Sequence, residues 1–367
     1  MASYTSAQLY GAGTAGETIS GSTLFMFTNP GDSSYFTLET LPDNNGTYAG
    51  KQACAAGLWS PSTLVMGPVV SPFRNSVVVQ PGTSSVVFTP TSPVAGTSFR
   101  FRGTGQFNMV TFNPSASLFA AGEKGVWFDA GDLSTMFQDV AGTIPVTTVG
   151  QFVGKWLDKS GNGNHAVASA NDATRPTYQI DTEGNPNVTF TRAATTQLVT
   201  PSIDFSLTAQ MTVCVGANVL ESGSAGVALE LGTTVASVNG SFSIGAPSST
   251  ADHSVNLRGT ATLNARVANV VDGDDIITGL FDISQATRAL QLIPRLNFVQ
   301  IPDAQITWTG TNAGTGNFGN LPLYIGAEGV GKTLPYGGKI YQIIVRGALS
   351  TTTQVYQIET FTDAKLD

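Results

Sequence analysis

Residues 126–167 read VWFDAGDLSTMFQDVAGTIPVTTVGQFVGKWLDKSGNGNHAV, and the rest of the chain is expected to be organised around this stretch. Two short pieces, Val126–Asp129 and Val153–Asp158, each carry a tryptophan followed by an aspartate, and their composition is typical of strands. Between them, residues 132–137 predict one helical turn. The second piece runs directly into Ser-Gly-Asn-Gly-Asn at 160–164, where glycine and asparagine tolerate the positive φ of a tight turn. The stretch therefore predicts short strands joined by polar turns.

The same stretch resembles the opening of the concanavalin A-like (laminin-G-like) β-sandwich domains in structural proteins of tailed bacteriophages. In that family, a turn of this type joins early strands of a jelly roll. The far end of the chain is similar to the closing strands of the family, in the segments Leu323–Gly326, Gly337–Val345 and Leu349-Ser350, before a helix-like tail. The resemblance implies a jelly-roll β-sandwich from Gly125 onward and a place in a phage particle. It is less specific for function, because one fold hosts many functions.

The chain is low in charge. Of its 367 residues, 11% are charged and 41% are hydrophobic, and the formal net charge is −8. Ordinary soluble proteins carry about 25% charged residues. The hydrophobic share excludes a disordered chain, and the length suffices for two domains with their own cores. The acidic balance argues against a nucleic-acid partner, which needs clustered Lys and Arg. A surface poor in charge favours contacts with other proteins.

Neither an export signal nor a membrane span is predicted. Residues 1–11 lack a basic start and an apolar segment, and no apolar run approaches the roughly 18 residues of a membrane helix. We therefore expect a chain that is made in a cytosol, does not insert into a membrane and is located in a virion. Cys54 and Cys214 are far apart and form no disulfide framework. Cys214 lies in the apolar run Met211–Ala217, where a free thiol behaves as a small hydrophobic side chain.

Residues 1–114 predict a separate β domain that serves anchoring and assembly. Turn signals such as Asn29-Pro30-Gly31 and Pro81-Gly82 separate short strands there, as in a small sandwich or barrel. Its strand candidates are Leu24–Thr28, Tyr35–Leu38, Val77–Gln80, Val86–Thr89, Phe99–Arg102 and Met109–Phe112. Residues 115–124 are the predicted linker, and residues 125–367 are the predicted sandwich.

Within the sandwich, continuous apolar runs predict buried strands at Met211–Val219 and Val227–Leu231. Asp272-Gly273-Asp274 separates two further apolar runs and predicts a hairpin, since Asp-Gly supplies the positive φ of a tight turn. Thr351 and Gln354 predict a capping box at the start of a helix. The fold class is therefore all-β: a small N-terminal β-sandwich or barrel, then a concanavalin A-like jelly-roll sandwich with a short C-terminal helix.

Gly326–Thr333 matches the phosphate-loop pattern of a glycine, four residues and Gly-Lys-Thr. That loop needs a following helix, whose N-terminus cradles the phosphates. Pro335 and Gly337-Gly338 follow instead and lead into a strand pattern, and no parallel βαβ pattern surrounds the loop. We therefore interpret the match as a hairpin loop and predict no cofactor.

No catalytic or metal site is predicted, and we interpret the protein as a non-enzyme. There is no Gly-x-Ser-x-Gly elbow for a nucleophilic serine. The two histidines, His165 and His253, are too few for a zinc site of several histidines, and the cysteines lack ligand spacing. Related sandwich folds include glucanases with a Glu-x-Asp-x-x-Glu strand, which this chain lacks. A carboxylate pair assembled by folding remains an alternative.

Asp158, Ser160, Asn162 and Asn164 place side-chain oxygens at alternate positions. This spacing is compatible with a calcium loop and with a turn in which Asp158 accepts hydrogen bonds from backbone amides. No acidic residue closes the loop, as hard-cation loops require. We therefore predict a structural turn without a metal, and a calcium site near Asp158 is the alternative.

Trp308, Asn312 and Asn317 are the candidate ligand-binding residues. Sugars are usually bound by an aromatic face together with Asn or Asp hydrogen bonds in loops, and these residues lie in and beside the Gly-rich stretch 310–320. Loop residues carry function more often than core residues. The alternative is that Trp308 caps the core and that the loop is a spacer.

Together, these observations predict a structural protein on the exterior of a phage particle, as a head decoration or a fibre component, that acts through protein–protein contacts. The expected partners are other virion proteins and copies of the same chain, with a trimer as the expected oligomer. The alternative function is a receptor- or glycan-binding tail or fibre protein that recognises a host surface glycan. A third function is a polysaccharide-degrading enzyme.

Overall fold

The computed structural model describes residues 112–367 except 169–173, 222–223, 248–251, 269–272 and 367. For Ala268 and for residues 1–111, it describes only the backbone of the strands. The chain divides into two compact units, Met1–Phe112 and Asn113–Asp367. Among the described residues, no helix is long and apolar enough to cross a bilayer.

The first unit is built from short strands. They are β1 (Ala2–Thr5), β2 (Thr18–Ser20), β3 (Phe25–Phe27), β4 (Phe36–Pro42), β5 (Ala53–Cys54), β6 (Trp59–Ser60), β7 (Thr63–Met66), β8 (Val69–Val70), β9 (Val86–Pro90), β10 (Thr97–Gly103) and β11 (Gln106–Met109). The described pairings are antiparallel except for β7 with β9. The predicted strand Val77–Gln80 lies outside the described residues.

The second unit is nearly all β. Its strands are β12 (Gly125–Asp129), β13 (Met136–Phe137), β14 (Lys155–Trp156), β15 (Ala166–Ala168), β16 (Thr177–Ile180), β17 (Pro186–Phe190), β18 (Leu198–Asp204), β19 (Gln210–Val219), β20 (Val227–Leu231), β21 (Ser241–Gly245), β22 (Asp252–Arg258), β23 (Thr262–Ala268), β24 (Asp274–Asp282), β25 (Leu292–Leu296), β26 (Val299–Gln300), β27 (Ile306–Thr309), β28 (Asn320–Ile325) and β29 (Gly338–Arg346). Its helices are α1 (Pro114–Leu118), α2 (Arg288–Gln291) and α3 (Thr352–Asp363), and 3₁₀ turns lie at Leu133–Thr135 and Asp303–Gln305.

In the described part of this unit, the strands form two antiparallel sheets. The eight-stranded sheet has the order β16-β17-β29-β19-β24-β25-β26, and β12 also pairs with β29. The ten-stranded sheet has the order β13-β14-β15-β18-β28-β20-β21-β22-β23-β27. The second unit is therefore a jelly-roll β-sandwich with a short C-terminal helix, as the sequence predicts.

The core lies between the two sheets, because successive side chains of a strand point to opposite faces. Val213 and Val215 of β19 point into it from the eight-stranded sheet, and Leu257 of β22 points into it from the ten-stranded sheet. Trp156 of β14 is fully buried there, with its ring centroid 5.3 Å from that of Phe128. The core thus joins the first strands of the unit to its centre.

The C-terminal helix α3 begins with the predicted capping box. The hydroxyl of Thr351 accepts a hydrogen bond from the Gln354 backbone N–H at 3.2 Å, and the Gln354 side chain accepts one from the Thr351 backbone N–H at 3.0 Å. The pair satisfies two backbone donors that the first turn of a helix leaves free. The prediction of this cap is confirmed.

Helix α3 packs on the outer face of the eight-stranded sheet. Glu359 of α3 is fully buried and accepts two hydrogen bonds from Arg295 of β25, at 2.7 and 2.8 Å. Trp127 of β12 is also buried on this face, with its ring centroid 5.8 Å from that of Phe361. The helix therefore closes one outer face of the sandwich.

Residues 115–124, the predicted linker, form part of the second unit. Helix α1 places Leu118 in a fully buried position. Arg346 of β29 donates to the Leu118 carbonyl at 2.9 Å and to the Glu123 carboxylate at 2.7 Å. Small and polar residues in this segment indicate a linker locally, whereas the contacts that fix it come from a strand far along the chain.

The predicted hairpin at Asp272-Gly273-Asp274 is wrong. β23 precedes this segment and pairs with β22 and β27 in the ten-stranded sheet. β24 follows it and pairs with β19 and β25 in the eight-stranded sheet. The chain therefore passes from one sheet to the other here. A sandwich uses both kinds of connection, and turn residues alone do not distinguish them.

Asp158 is the hydrogen-bonding centre of the turn at residues 158–164. Its Oδ1 accepts from the backbone N–H of Trp127 at 2.9 Å and of Ser160 at 2.8 Å. Its Oδ2 accepts from Ser160 Oγ at 2.8 Å and from the Asn164 backbone N–H at 3.0 Å. Both oxygens of this buried carboxyl group are thus occupied by protein donors.

The two asparagines tie the turn to the start of the unit. Asn162 Nδ2 donates to the Glu123 carbonyl at 3.0 Å, and Asn164 Nδ2 donates to the Gly125 carbonyl at 2.9 Å. Among the described residues, no group of three or more His, Cys, Asp or Glu side chains is placed to hold a metal ion. The geometry here is that of a hydrogen-bonded turn.

We expect Asp158→Ala to lower the free energy of unfolding by about 1–3 kcal/mol, because it leaves buried backbone donors without acceptors. A matched control is Asp204→Ala, which removes an exposed carboxylate that accepts hydrogen bonds from Ser206. That change is expected to stay within about 0.5 kcal/mol. Urea titration of the full chain measures both. Equal losses for the two variants would contradict the central role of Asp158.

Candidate functional site

A polar groove crosses the outer face of the ten-stranded sheet, opposite to its core-facing side. Ser243, Ser254, Asn256, Asn264, Arg266 and Glu328 line it together with the apolar residues Val227, Val235 and Leu334, and its volume is about 540 Å³. We call this surface the polar groove. Small-molecule sites are typically clefts of about 300–1,000 Å³. The groove therefore has the volume of a typical small-molecule binding site.

Strand alternation produces the groove. In β21, Phe242 and Ile244 point into the core, so Ser243 between them points outward. The same alternation in β22 turns Asn256 outward between the core residues Val255 and Leu257. Each strand thus contributes one face to the core and a polar face to the groove.

Register places the outward side chains in one row. Glu230 of β20 lies opposite Ser243, and Ser243 lies opposite Asn256. Asn256 lies opposite Asn264 of β23, and Asn264 lies opposite Thr309 of β27. The row runs across five neighbouring strands, so it follows the hydrogen-bonding direction of the sheet, in which strands are about 4.8 Å apart.

The hydrogen bonds along this row run in one direction. Asn264 Nδ2 donates to Asn256 Oδ1. Asn256 Nδ2 then donates to Ser243 Oγ at 2.9 Å and to Ser254 Oγ at 3.2 Å. Among the described residues, neither serine hydroxyl donates to a protein acceptor in return. Both serines therefore have a hydroxyl proton left for a ligand, and hydrogen-bond chains of this kind strengthen their members.

Glu230 lies at one end of the row and is fully buried. Its Oε1 accepts from the Val235 backbone N–H at 2.7 Å, whereas its Oε2 has no hydrogen-bond partner. Burial, opposed by the Val235 hydrogen bond and assisted by the charge of Glu328, raises the pKa of the Glu230 carboxyl to about 8. At neutral pH this side chain is therefore mostly protonated.

Glu328 lines the same end of the groove. Its Oε1 accepts from Thr234 Oγ1 at 2.7 Å and its Oε2 from Thr333 Oγ1 at 2.6 Å. Thr234 belongs to the connection between β20 and β21, and Thr333 to the connection between β28 and β29. The Glu328 side chain therefore holds together the two loops that form this end of the groove.

The phosphate-loop lookalike is the second of these loops. Gly326–Thr333 turns back on itself through a bridge between Glu328 and Thr333, and the next element is the strand β29. Gly329 has a φ of +54°, and Lys332 adopts a φ of +51°. No helix begins at the end of this loop in the described residues, so the phosphate-binding context is missing there.

Trp308 lies on the edge strand β27, apart from the polar groove. It is partly buried and packs against the core. Its Nε1 donates to Asp303 Oδ1 at 2.8 Å, and the guanidinium carbon of Arg288 lies 5.1 Å from the ring centroid. Its neighbour Thr309 points to the opposite face and lines the groove. A Trp308 ring packed in this way is oriented to the core side of the sheet.

Asn312 and Asn317 lie in the connection between β27 and β28, and both are exposed. Asn312 Oδ1 accepts from the Gly314 backbone N–H at 2.9 Å, and Asn317 Nδ2 donates to the Ser206 carbonyl at 2.7 Å. The hydrogen bonds therefore direct them to different partners. A ligand site formed by Trp308, Asn312 and Asn317 stays a prediction.

Sequence reasoning missed the polar groove. The alternation of apolar and polar residues in Phe242–Gly245 and His253–Arg258 predicts strands with one polar face. It does not predict which polar faces become neighbours, because strand order and register are set by distant pairings. The residues of the groove come from strands whose spatial order the sequence does not display.

No protein-family model matches this chain, and no curated protein matches its sequence. Several solved structures are similar in fold. One is CBM40 of the Ruminococcus gnavus IT-sialidase bound to α2,3-sialyllactose, with 14% identity over 42% of this chain and 84% of that chain and a TM-score of 0.32.

Two further similar structures are the binding domain of botulinum neurotoxin serotype D and domain 4 of AbnA, an extracellular arabinanase from Geobacillus stearothermophilus, in complex with arabinotriose. The first has 6% identity over 65% of this chain and 52% of that chain, with a TM-score of 0.43. The second has 12% identity over 65% of this chain and 98% of that chain, with a TM-score of 0.41. None of these comparisons shows a phage origin, and at this distance they transfer no function.

Proposed function

We propose that the second unit binds carbohydrate in the polar groove and acts as a binding module without catalysis. The observation that carries this proposal is the one-way hydrogen-bond chain from Asn264 through Asn256 to Ser243 and Ser254. It presents fixed hydroxyl donors to the groove. Sugars offer hydroxyl and ring oxygens as acceptors, spaced along a chain, and such groups match a row of donors.

Hydrogen bonding supplies most of the recognition in this proposal. Among the described residues that line the groove, none is aromatic, so stacking on a sugar face contributes little. A row of small hydroxyl and amide side chains favours an extended ligand over a compact apolar one. Neutral hydrogen bonds exchanged with water are worth about 0.5–1.5 kcal/mol each, so we expect a modest affinity that depends on several of them.

We expect Asn256→Asp to weaken glycan binding at least about tenfold, the equivalent of losing roughly 1.4 kcal/mol. Aspartate has the shape of asparagine but only accepts hydrogen bonds when ionised. Ser243 and Ser254 would then turn their hydroxyl protons toward residue 256 and away from a ligand. A glycan array followed by calorimetry on the best glycan measures the change.

The matched control is Asn113→Asp, because Asn113 caps helix α1 by accepting from the Ser115 backbone N–H and aspartate caps equally well. Glycan binding by this control should equal that of the unmodified protein. Alanine variants of Trp308, Asn312 and Asn317 test the site predicted from the sequence. Loss of binding in those variants, with full binding by Asn256→Asp, would place the ligand outside the polar groove and contradict the proposal.

A structural role on the exterior of a phage particle, with other virion proteins and copies of the chain as partners, stays a prediction from the sequence. This role is compatible with glycan binding, because the alternative function predicted from the sequence is a glycan-binding tail or fibre protein. Light scattering of the purified chain at micromolar concentration tests the trimer, and imaging of labelled particles tests the location.

A further inference from the structure

We propose that the polar groove selects glycans by charge: it accepts uncharged and amine-bearing glycans and rejects those that carry carboxylate, sulfate or phosphate groups. This inference rests on the proposed carbohydrate binding and adds the class of sugar. Two sets of contacts carry it, those of the basic side chains around the groove and those of Glu328.

The basic side chains around the groove are engaged by protein oxygens. Arg266 lines the groove, and its Nε lies 3.0 Å from Asp252 Oδ2 in an ion pair. Arg258 donates through Nε to Asn239 Oδ1 at 3.1 Å and through Nη1 to the Ala236 carbonyl at 2.9 Å. These contacts make both guanidinium groups supports of the groove wall.

Arg192 also donates hydrogen bonds to protein oxygens, next to the part of the groove that Ala225 lines. It donates to the carbonyls of Ala225 at 2.6 Å, Ser224 at 2.9 Å and Glu221 at 3.1 Å. Ala225 in turn lines the groove. Recognition of an acidic sugar usually relies on a guanidinium fork that grips the anion in two places. Arg258 and Arg192 are held by protein oxygens, and Arg266 is paired with Asp252, so an anion in the groove would have to compete with Asp252 for Arg266.

Glu328 brings a carboxylate to the groove that is in no ion pair with another described residue. Its hydrogen bonds come from the neutral hydroxyls of Thr234 and Thr333. Among the ion pairs of the described residues, none includes Glu328, and none includes Lys332 of the same turn. Each Glu328 oxygen accepts one of these hydrogen bonds and retains a lone pair for a further donor. An amine or a hydroxyl can meet that lone pair, whereas an anion is repelled.

The test is a glycan array that contains uncharged, amine-bearing, sialylated, uronate and sulfated glycans, probed with the full chain. We expect the bound glycans to be uncharged or amine-bearing. For a pair of glycans that differ in a carboxylate alone, Glu328→Gln should raise the ratio of acidic to neutral affinity at least about fivefold, the factor expected for one unit charge at about 4 Å in water. The matched control Glu183→Gln removes an exposed carboxylate elsewhere and should leave the ratio unchanged.

A second measurement needs no variant. Raising the salt concentration toward 1 M shortens the screening length to about 3 Å, so binding of the acidic glycan to the unmodified protein should increase relative to the neutral one. Acidic glycans that bind at least as well as their neutral counterparts, and more weakly in high salt, would overturn charge selection and leave carbohydrate binding intact. Binding to no glycan of any class would overturn the proposed function and this inference together.

Discussion

Trp156→Ala is expected to lower the free energy of unfolding of the second unit by about 3–5 kcal/mol, the usual cost of emptying a buried aromatic site. The Trp156 side chain is fully buried, and its ring packs against Phe128. Its strand, β14, pairs with β13 and β15 through the buried residues Met136 and Ala166. A cavity there would lie in the core between the sheets, lined by buried side chains such as Phe128.

Native-state hydrogen exchange of the full chain measures this loss, because backbone amides of the central strand β19 exchange through global opening of the unit. Trp308→Ala is the matched control and should cost less, since Trp308 lies partly exposed at the edge of the sheet. A neutral Trp156→Ala that nevertheless abolishes glycan binding would identify Trp156 as a recognition residue and contradict its structural role.

The second large effect is a loss of stability as the pH rises from about 4.5 to 8. In the folded chain the Glu230 carboxyl keeps its proton until its raised pKa of about 8, whereas the unfolded chain releases the proton near the ordinary value of 4.5. The unfolded state is therefore favoured increasingly through this window and not beyond it. Between pH 4.5 and 7, Glu230 should lower the free energy of unfolding by about 3 kcal/mol, since each pKa unit corresponds to 1.36 kcal/mol.

Urea titrations at several pH values measure this slope. In Glu230→Gln the part of the slope that comes from residue 230 should disappear between pH 5 and 8, because the amide resembles the protonated carboxyl and keeps an acceptor for Val235. Because only the pH dependence of the free energy of unfolding is compared, any pH-independent effect of the new amide group cancels. The control Glu183→Gln changes an exposed carboxylate and should keep the slope of the unmodified protein. An unchanged slope in Glu230→Gln would show that another group causes the pH dependence.

Local patterns predict those parts of the fold that depend on neighbouring residues. The strand Val227–Leu231 is confirmed with both ends, and the capping box of Thr351 and Gln354 is confirmed with its hydrogen bonds. Asp272-Gly273-Asp274 shows the opposite case. Its turn residues are compatible with a hairpin and with a passage between sheets, and distant strand pairings select the passage.

The candidate site depends on such distant pairings even more. Glu230, Ser243, Asn256, Asn264 and Thr309 belong to five strands, and their row exists through the register of four pairings. Sequence analysis instead predicts a ligand site at Trp308, Asn312 and Asn317, because aromatic and amide residues in a Gly-rich segment are visible without knowledge of register. A polar residue between two core residues is common in any half-buried strand, so its functional use becomes visible only in the folded sheet.

The pairing of β12 with β29 bears on how the chain folds during its synthesis. Gly125 lies opposite Arg346, and β29 also lies between β19 and β17. During synthesis, nearly the whole second unit therefore leaves the ribosome before β29, the strand that pairs with β12, β17 and β19. Until then β12, β17 and β19 present unpaired edges, which are prone to association with other chains. Because long-range pairing of this kind is slow, we expect the unit to fold in one late step that follows the arrival of β29.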